Sequence, residues 1–250
     1  MNVHVYAQLA KLAYETPVGN DPKAVFKELN DTLDIEDAYF IETTKDAELY
    51  TLVCKGAVLF ICRGTESAKD IQMNALACKA AFIDIEGARV HAGFARAFDT
   101  LRGTIQSHVE RFSLIAEEPR QVKFIGHSLG GAMATLGSAY TKKHYPELAV
   151  ECITFGCPRV GNKAFANFFN GSIDYAVRYV LGNDIITRIP RLNYTHVGGE
   201  RHLGNPSSTS YIRRYIGDIR DHFIDSYIHA LNGDANDDGD GDELDRPLLT

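Results

Sequence analysis

One serine of this chain lies between two glycines, in Gly126-His127-Ser128-Leu129-Gly130. The apolar run before it, Gln121 to Ile125, predicts a short buried strand, and Gly131 to Leu136 predicts the start of a helix. A G-x-S-x-G sequence between a strand and a helix places the serine on a sharp, strained turn with its hydroxyl exposed. The glycines are needed because such a turn brings backbone segments into contact. The alternative is a glycine-rich helix start with an ordinary surface serine.

The predicted elements around this turn indicate an α/β fold with a mainly parallel sheet and helices on both faces. After two predicted helices come three strands, the last two joined as a hairpin at Lys55-Gly56, and a β-α-β-α-β order follows. The predicted strands are Ala38 to Ile41, Leu49 to Cys54, Ala57 to Cys62, Gln121 to Ile125, Val150 to Phe155 and Tyr175 to Leu181. The predicted helices are Val3 to Tyr14, Pro22 to Leu29, Ser67 to Phe82, Phe94 to Phe112, the helix that opens at Gly131, and Asn162 to Phe169.

The length of 250 residues fits one large α/β domain, or at a stretch two small ones. Composition changes near Leu231, so we expect a domain over residues 1–231 and an acidic tail over 232–250. The net charge is −7, and seven acidic side chains lie in that tail, so the body of the chain is near neutral. A chain without a basic field is not expected to bind nucleic acid. No run approaches the roughly 20 apolar residues of a transmembrane helix.

The five cysteines show no C-x-x-C spacing, and four of them lie in or beside apolar runs. Reduced, buried thiols are expected, and a zinc site is not. The pattern of Met1 to Tyr14 predicts an amphipathic helix, and no signal peptide is expected there. Cysteine usage therefore favours the cytoplasm, while a secreted mature form stays open and the compartment is not fixed.

A serine hydroxyl is a weak nucleophile that needs a base, which a third group orients. On α/β sheets that carry such a serine, the acid comes next in the chain and the histidine last. Asp184 closely follows the apolar strand Tyr175 to Leu181, where the carboxyl ends of parallel strands collect functional groups. Asp184 is therefore the candidate acid, with an ordinary Asn-Asp turn as the alternative.

Four histidines follow Asp184, and His222 is the predicted base. It lies after all predicted strands, on a segment that can fold back over the sheet edge to the serine. His229 lies near the acidic tail and is expected at the surface, while His196 and His202 remain alternatives. His127, next to the serine, is predicted to point away from it and to pack in the interior.

Several segments occur together between roughly residues 60 and 227. They are Arg63 to Ser67 with Asp70 and Asn74, Val90 to Phe94, Gly126 to Gly131, Thr154 to Asn162, Asn183-Asp184 to Pro190, Tyr194-x-His196-x-Gly198, and Asp221-His222 with Tyr227. In this combination the chain resembles the class 3 lipases, the family typified by filamentous-fungal triacylglycerol lipases. Feruloyl esterases, phospholipases A1 and diacylglycerol lipases are relatives within it. The resemblance implies an α/β-hydrolase fold.

The resemblance also implies a role for each matched position. Ser128 is the implied nucleophile, Asp184 the acid and His222 the base. Thr65 falls where the family places an oxyanion donor, through its backbone N–H and its hydroxyl. Leu129 supplies the second N–H, at the start of a helix whose free N–H groups favour a negative charge.

The resemblance further implies a lid from Glu66 to about Leu76. Ile71, Met73 and Leu76 are its apolar side chains, and charged residues such as Glu66 and Asp70 lie among them. The family commonly has a Trp where this chain has Ile71. We therefore expect only a modest response to an oil surface, the alternative being a plain surface helix.

The acidic tail contains oxygen side chains at positions one, three, five, nine and twelve of a twelve-residue calcium loop, with glycine at six. The candidate metal ligands are Asp234, Asn236, Asp238, Asp240 and Asp245, where Asp240 is position seven and the oxygen at position nine belongs to Asp242. Position eight is Gly241, where such loops usually place an apolar residue. A solvated, disordered tail is the alternative.

Together these features predict a serine carboxyl-ester hydrolase, a lipase or esterase for short-to-medium acyl esters or acylglycerols. A phospholipase A1 or feruloyl esterase of the same fold is the alternative, and a non-catalytic lipase-like binding protein is a further one. The expected partner is a lipid or other carboxylic ester, with a lipid interface open. No cofactor is expected for catalysis, and calcium in the tail is the one candidate ion.

Overall fold

The computed structural model describes residues 2–43, 47–64, 78–83, 85–114, 121–204 and 219–237. The strands are β1 (Ile35–Glu42), β2 (Glu48–Cys54), β3 (Ala57–Cys62), β4 (Lys79–Ala81), β5 (Arg89–His91), β6 (Gln121–His127), β7 (Val150–Phe155), β8 (Tyr175–Leu181) and β9 (Gly199–Leu203). The α-helices are α1 (Val3–Leu12), α2 (Pro22–Val25), α3 (Asn30–Leu33), α4 (Ala92–Val109), α5 (Leu129–His144), α6 (Lys163–Ser172) and α7 (Ile224–Asp237). Short 3-10 turns cover Val18–Asn20, Lys27–Leu29, Ile186–Arg188 and Arg220–His222, and a π-helical turn covers Glu110–Leu114.

Seven of these strands form one sheet in the order β1-β2-β3-β6-β7-β8-β9. The first three pair antiparallel, with the β2–β3 hairpin turning at Lys55-Gly56 as predicted. From β3 onward every neighbouring pair is parallel. The predicted mainly parallel α/β sheet is therefore confirmed, and the carboxyl ends of β6 and β8 lie at the same edge.

Alternate residues of the central strands pack into two separate cores. In β3, Val58 and Phe60 belong to one core and Leu59 and Ile61 to the other, and all four are fully buried. Helices α4, α5 and α6 contribute to the first core, and α1 and α7 to the second. Because helices cover both faces, the central strands are continuous apolar runs rather than alternating ones.

The prediction of a helix up to Phe82 is wrong at its end. Lys79–Ala81 forms β4, which pairs antiparallel with β5, while residues 67–77 of that prediction lie outside the described residues. Cross-strand pairing here overrides the helix preference of a Lys-Ala-Ala sequence. Sequence analysis also missed β9, because this strand at the sheet edge alternates between exposed and partly buried residues and carries little apolar signal.

All five cysteines are free thiols, buried at Cys54, Cys62, Cys152 and Cys157 and exposed at Cys78. Burial raises the pKa of the Cys152 and Cys157 thiols to about 12, so both are protonated and unreactive near neutral pH. In the part of the chain that the structure describes, no helix is both long and apolar enough to cross a membrane.

Candidate active site

Ser128 lies on the turn between β6 and α5 with a backbone that non-glycine residues rarely adopt. Its φ is 60° and its ψ is −124°. The two glycines of the motif make this turn possible because, without side chains, they let neighbouring backbone segments approach closely. A Cβ on Gly126 would overlap the carbonyl of Gly130, and a Cβ on Gly130 would overlap the carbonyl of Cys62 at the end of β3. Close backbone packing at the glycines on both sides of Ser128 therefore supports its strained conformation.

His222 meets Ser128 at the end of the short Arg220–His222 turn. Its Nε2 lies 2.7 Å from Ser128 Oγ, and its Nδ1 lies 2.9 Å and 3.0 Å from the two carboxylate oxygens of Asp184. A carboxylate only accepts, so Nδ1 of His222 carries a proton and donates it. In the neutral ring Nε2 then has a free lone pair and accepts the Ser128 hydroxyl. This geometry is suited to removing the serine proton.

Asp184 is fully buried just beyond β8, and three donors reach its carboxylate. Besides His222, the Ile186 N–H donates to Oδ1 at 2.9 Å and the Tyr227 hydroxyl donates to Oδ2 at 2.7 Å. Tyr227 also accepts the Leu181 N–H at 3.1 Å. Burial, reinforced by the nearby Asp184, raises the pKa of Tyr227, so its hydroxyl stays protonated and donates. The carboxylate is thus fixed in position toward the histidine.

The acid and base segments are also tied to each other. Asp221, the residue before His222, accepts the Asn183 N–H at 2.8 Å through Oδ2. Asn183 is the residue before Asp184, so this hydrogen bond links the segment of the acid to the segment of the base.

Leu129 is the first residue of α5, where a helix leaves its N–H groups without partners inside the helix. Thr65, the other expected oxyanion donor, lies outside the described residues. Its neighbour Gly64 lies beside the serine, since a Cβ on Gly64 would be 3.4 Å from Ser128 Cβ and 2.6 Å from the His127 carbonyl oxygen. Gly64, the last described residue before Thr65, therefore lies at the nucleophile.

The prediction that His127 only packs in the interior is incomplete. The ring is buried, but its Nδ1 lies 2.8 Å from the Tyr14 hydroxyl and its Nε2 lies 2.6 Å from the carbonyl oxygen of His222. Burial, followed by the proximity of His222, lowers the pKa of His127 to about 3. Sequence analysis assigned Tyr14 no role in the site, since it lies two residues past the end of α1 and 113 residues before its partner.

The other histidines that follow Asp184 have different neighbours. His196 Nε2 donates to the Thr187 carbonyl at 2.6 Å, and burial lowers its pKa to about 4. His202 Nδ1 lies 3.6 Å from Glu200 Oε1, and His229 is exposed on α7. Of the four candidates, His222 is the one that the structure brings to Ser128.

The expected lid residues Glu66, Ile71, Met73 and Leu76 lie outside the described residues, as do the expected calcium ligands Asp238, Asp240 and Asp245. Asp234 and Asn236 lie in α7, which continues to Asp237 and so past Leu231. The first positions of the predicted calcium loop therefore have helical backbone rather than a turn around an ion. Across the described ranges, no cluster of three or more His, Cys, Asp or Glu side chains could hold a metal.

The fold and the position of Ser128 define the class of protein. A mainly parallel sheet with a serine on a strained strand-to-helix turn is the architecture of the α/β-hydrolases. The family model described as Lipase (class 3) matches residues 59–194, more than half of the chain. The chain therefore belongs to the class 3 lipase family, as its motifs predicted.

Relatives of known name agree with this membership. The chain is 35% identical over 135 residues to the secreted mono- and diacylglycerol lipase LIP4 of Malassezia restricta, a match that covers 53% of this chain and 44% of that protein. It is 27% identical over 247 residues to the secreted mono- and diacylglycerol lipase MDL2 of Malassezia globosa, covering 94% and 80%. The chain thus spans less than half the length of the first of these relatives.

Solved structures share the fold. Lipase II from Rhizopus niveus superimposes with a TM-score of 0.71 at 24% identity, over 88% of this chain and 92% of that one.

Proposed function

We propose that this protein is a serine carboxyl-ester hydrolase, a lipase or esterase that acts on mono- and diacylglycerols and on short-to-medium acyl esters. One observation carries the proposal: Ser128 Oγ lies 2.7 Å from His222 Nε2, whose Nδ1 lies 2.9 Å from Asp184. The names of the Malassezia relatives, both mono- and diacylglycerol lipases, support the substrate class.

In the first half-reaction, Ser128 Oγ attacks the ester carbonyl carbon while His222 Nε2 takes the serine proton. The carbonyl oxygen becomes an oxyanion, which the Leu129 N–H and the N–H and hydroxyl of Thr65 stabilise. The bond between the carbonyl carbon and the alcohol oxygen then breaks. His222 returns its proton to that oxygen, so the alcohol leaves and the acyl group stays on Ser128.

Water completes the cycle by the same steps. His222 Nε2 takes a proton from water, and the hydroxide attacks the acyl carbon to form a second oxyanion. Collapse releases the carboxylic acid, and the proton on His222 returns to Ser128 Oγ. Asp184 stays ionised throughout and stabilises the imidazolium that forms twice per turnover.

Every proton transfer in this cycle is carried by His222, so the proposed reaction uses no cofactor. The proposed partner is a lipid or other carboxylic ester. Because the Malassezia relatives are named as secreted, we propose that a secreted mature form is one setting for this activity.

The test compares Ser128→Ala with Ser138→Ala, the same substitution at a second buried serine in the adjoining helix. Fatty acid release from mono-, di- and triacylglycerols and p-nitrophenol release from an acyl-chain series are measured for wild type and both variants. We expect Ser128→Ala to lose turnover by a factor on the order of 10⁵ or more, and Ser138→Ala to keep it.

Other outcomes of these measurements would contradict or change the proposed function. Equal activity in Ser128→Ala and wild type would exclude the proposed nucleophile. An inactive wild-type protein that is fully folded would favour a binding protein of the same fold. Faster release from phosphatidylcholine or from feruloyl esters would assign the chain to phospholipases A1 or to feruloyl esterases instead.

A further inference from the structure

His127 lies between the end of α1 and the segment that carries His222. Its ring centroid is 4.8 Å from that of His222 and 6.0 Å from that of Tyr14. Two polar contacts fix the ring, one from each nitrogen, to the Tyr14 hydroxyl and to the His222 backbone carbonyl. A histidine that only filled space would need neither contact.

The chemistry of these contacts sets the direction of both hydrogen bonds. A carbonyl oxygen only accepts, so Nε2 of His127 carries the proton and donates to His222. The ring is neutral near pH 7, because burial lowers its pKa to about 3. Nδ1 therefore has a free lone pair, and the Tyr14 hydroxyl donates to it. The Tyr14 hydroxyl thus pairs with Nδ1 in the tautomer of His127 that holds the His222 carbonyl.

The hydrogen bond from His127 reaches the main chain one residue before the carbonyl that α7 uses. At the start of α7, the N–H groups of Ser226 and Tyr227 donate to the Phe223 carbonyl. The ring of His222 is held by Asp184 and Ser128, and the bond from His127 holds its backbone. Side chain and main chain of the base are then each held by hydrogen bonds.

Tyr14 also lies beside Arg63 and Gly64, the two residues that precede Thr65. A Cβ on Gly64, the residue before Thr65, would overlap the Tyr14 hydroxyl. The Arg63 guanidinium lies 5.7 Å from the centre of the Tyr14 ring. One tyrosine therefore lies against Arg63 and Gly64 and, through His127, is linked to the base.

We propose that His127 and Tyr14 are positioning residues, which hold the His222 backbone so that Nε2 of His222 stays in line with Ser128. The inference rests on the proposed function, in which His222 is the base. Neither residue touches the reacting atoms, so their loss lowers turnover through misplacement of His222.

Three variants separate this role from packing. His127→Phe keeps the ring volume and loses both hydrogen bonds, and we expect kcat to fall roughly tenfold to a hundredfold with KM within about twofold. His127→Gln keeps an amide donor near the Nε2 position and is expected to recover most of this loss. Tyr14→Phe keeps the Nε2–H donor of His127 but removes the hydroxyl that holds Nδ1, so an intermediate loss is expected.

The matched control is His108→Phe. His108 is a partly buried histidine, with Nδ1 2.9 Å from Thr51 Oγ1 on β2, and its partners lie outside the candidate site. The melting temperatures of all variants are recorded with their kinetics. Wild-type kcat in His127→Phe, or an equal kcat loss in His127→Gln and His127→Phe, would overturn the inference.

A second measurement does not depend on activity. Nitrogen-15 spectra of histidine-labelled protein near pH 7 distinguish the two neutral tautomers. We expect His127 to carry its proton on Nε2 in wild type and in Tyr14→Phe, because the His222 carbonyl only accepts. A proton on Nδ1 of His127 in wild type would reverse the assigned bonds and refute the inference. Lack of ester hydrolysis by wild type would instead count against the proposed function.

Discussion

His196, which donates to Thr187 in the turn after Asp184, provides a quantitative test of how burial lowers a pKa in this protein. Burial, reinforced by the charge of Arg178, lowers its pKa from 6.5 to about 4, and its Nε2 donates to the Thr187 carbonyl at 2.6 Å. The folded protein therefore holds His196 neutral. The unfolded chain gains a proton at this residue as the pH falls below 6.5, and the folded protein does not until the pH approaches 4.

The sign and size of the effect follow from this difference. A proton bound only by the unfolded chain lowers the free energy of unfolding by about 1.4 kcal/mol per pH unit. His196 should therefore contribute full stability above pH 6.5 and lose about 2 kcal/mol between pH 6.5 and pH 5. His196→Gln keeps an amide donor for Thr187 and does not titrate, so the acid sensitivity of the variant should be smaller by that amount.

Urea unfolding of both proteins at pH 7 and pH 5 measures the difference directly. His229→Gln, at an exposed position on α7, controls for the substitution itself. If wild type and His196→Gln lose the same free energy of unfolding between the two pH values, then His196 is not held neutral by burial.

Three further predictions concern the site and its substrate. Tyr227→Phe removes the 2.7 Å bond to Asp184 and should lower the free energy of unfolding by about 2 kcal/mol, with a kcat loss under about tenfold, measured by urea unfolding and ester kinetics. Gly130→Ala should abolish turnover and lower the melting temperature, because its Cβ would overlap the Cys62 carbonyl; normal kinetics would contradict the tight turn. The rate should rise only modestly as an ester passes its solubility limit, and Ile71→Trp should steepen that rise; a steep wild-type jump would mean a more lipophilic lid.

Much of the fold was predictable from local sequence pattern. Strands β2, β3, β7 and β8 are apolar runs bounded by turn residues, because helices cover both faces of the sheet. Where this signal fails, the strand lies at an edge or is short. β9 has a mixed burial pattern, and β4 spans three residues that only pairing with β5 makes extended.

The candidate site was predictable to the extent that chain order and motif spacing define it. Ser128, Asp184 and His222 fall on the ends of three elements, and the structure brings them within hydrogen-bond distance. The contacts of His127 were not predictable, because they join residues 95 and 113 positions apart that share no motif. Such contacts depend on the packing of α1 and α7 against the sheet.

The central claim is that Ser128 is a nucleophile activated by His222. A serine-directed phosphonate and mass spectrometry of the digested protein test it most directly. We expect one phosphonyl group per chain, attached to Ser128, formed in step with the loss of ester hydrolysis, and absent in His222→Ala. Labelling of another residue, or full labelling of Ser128 with hydrolysis retained, would contradict it.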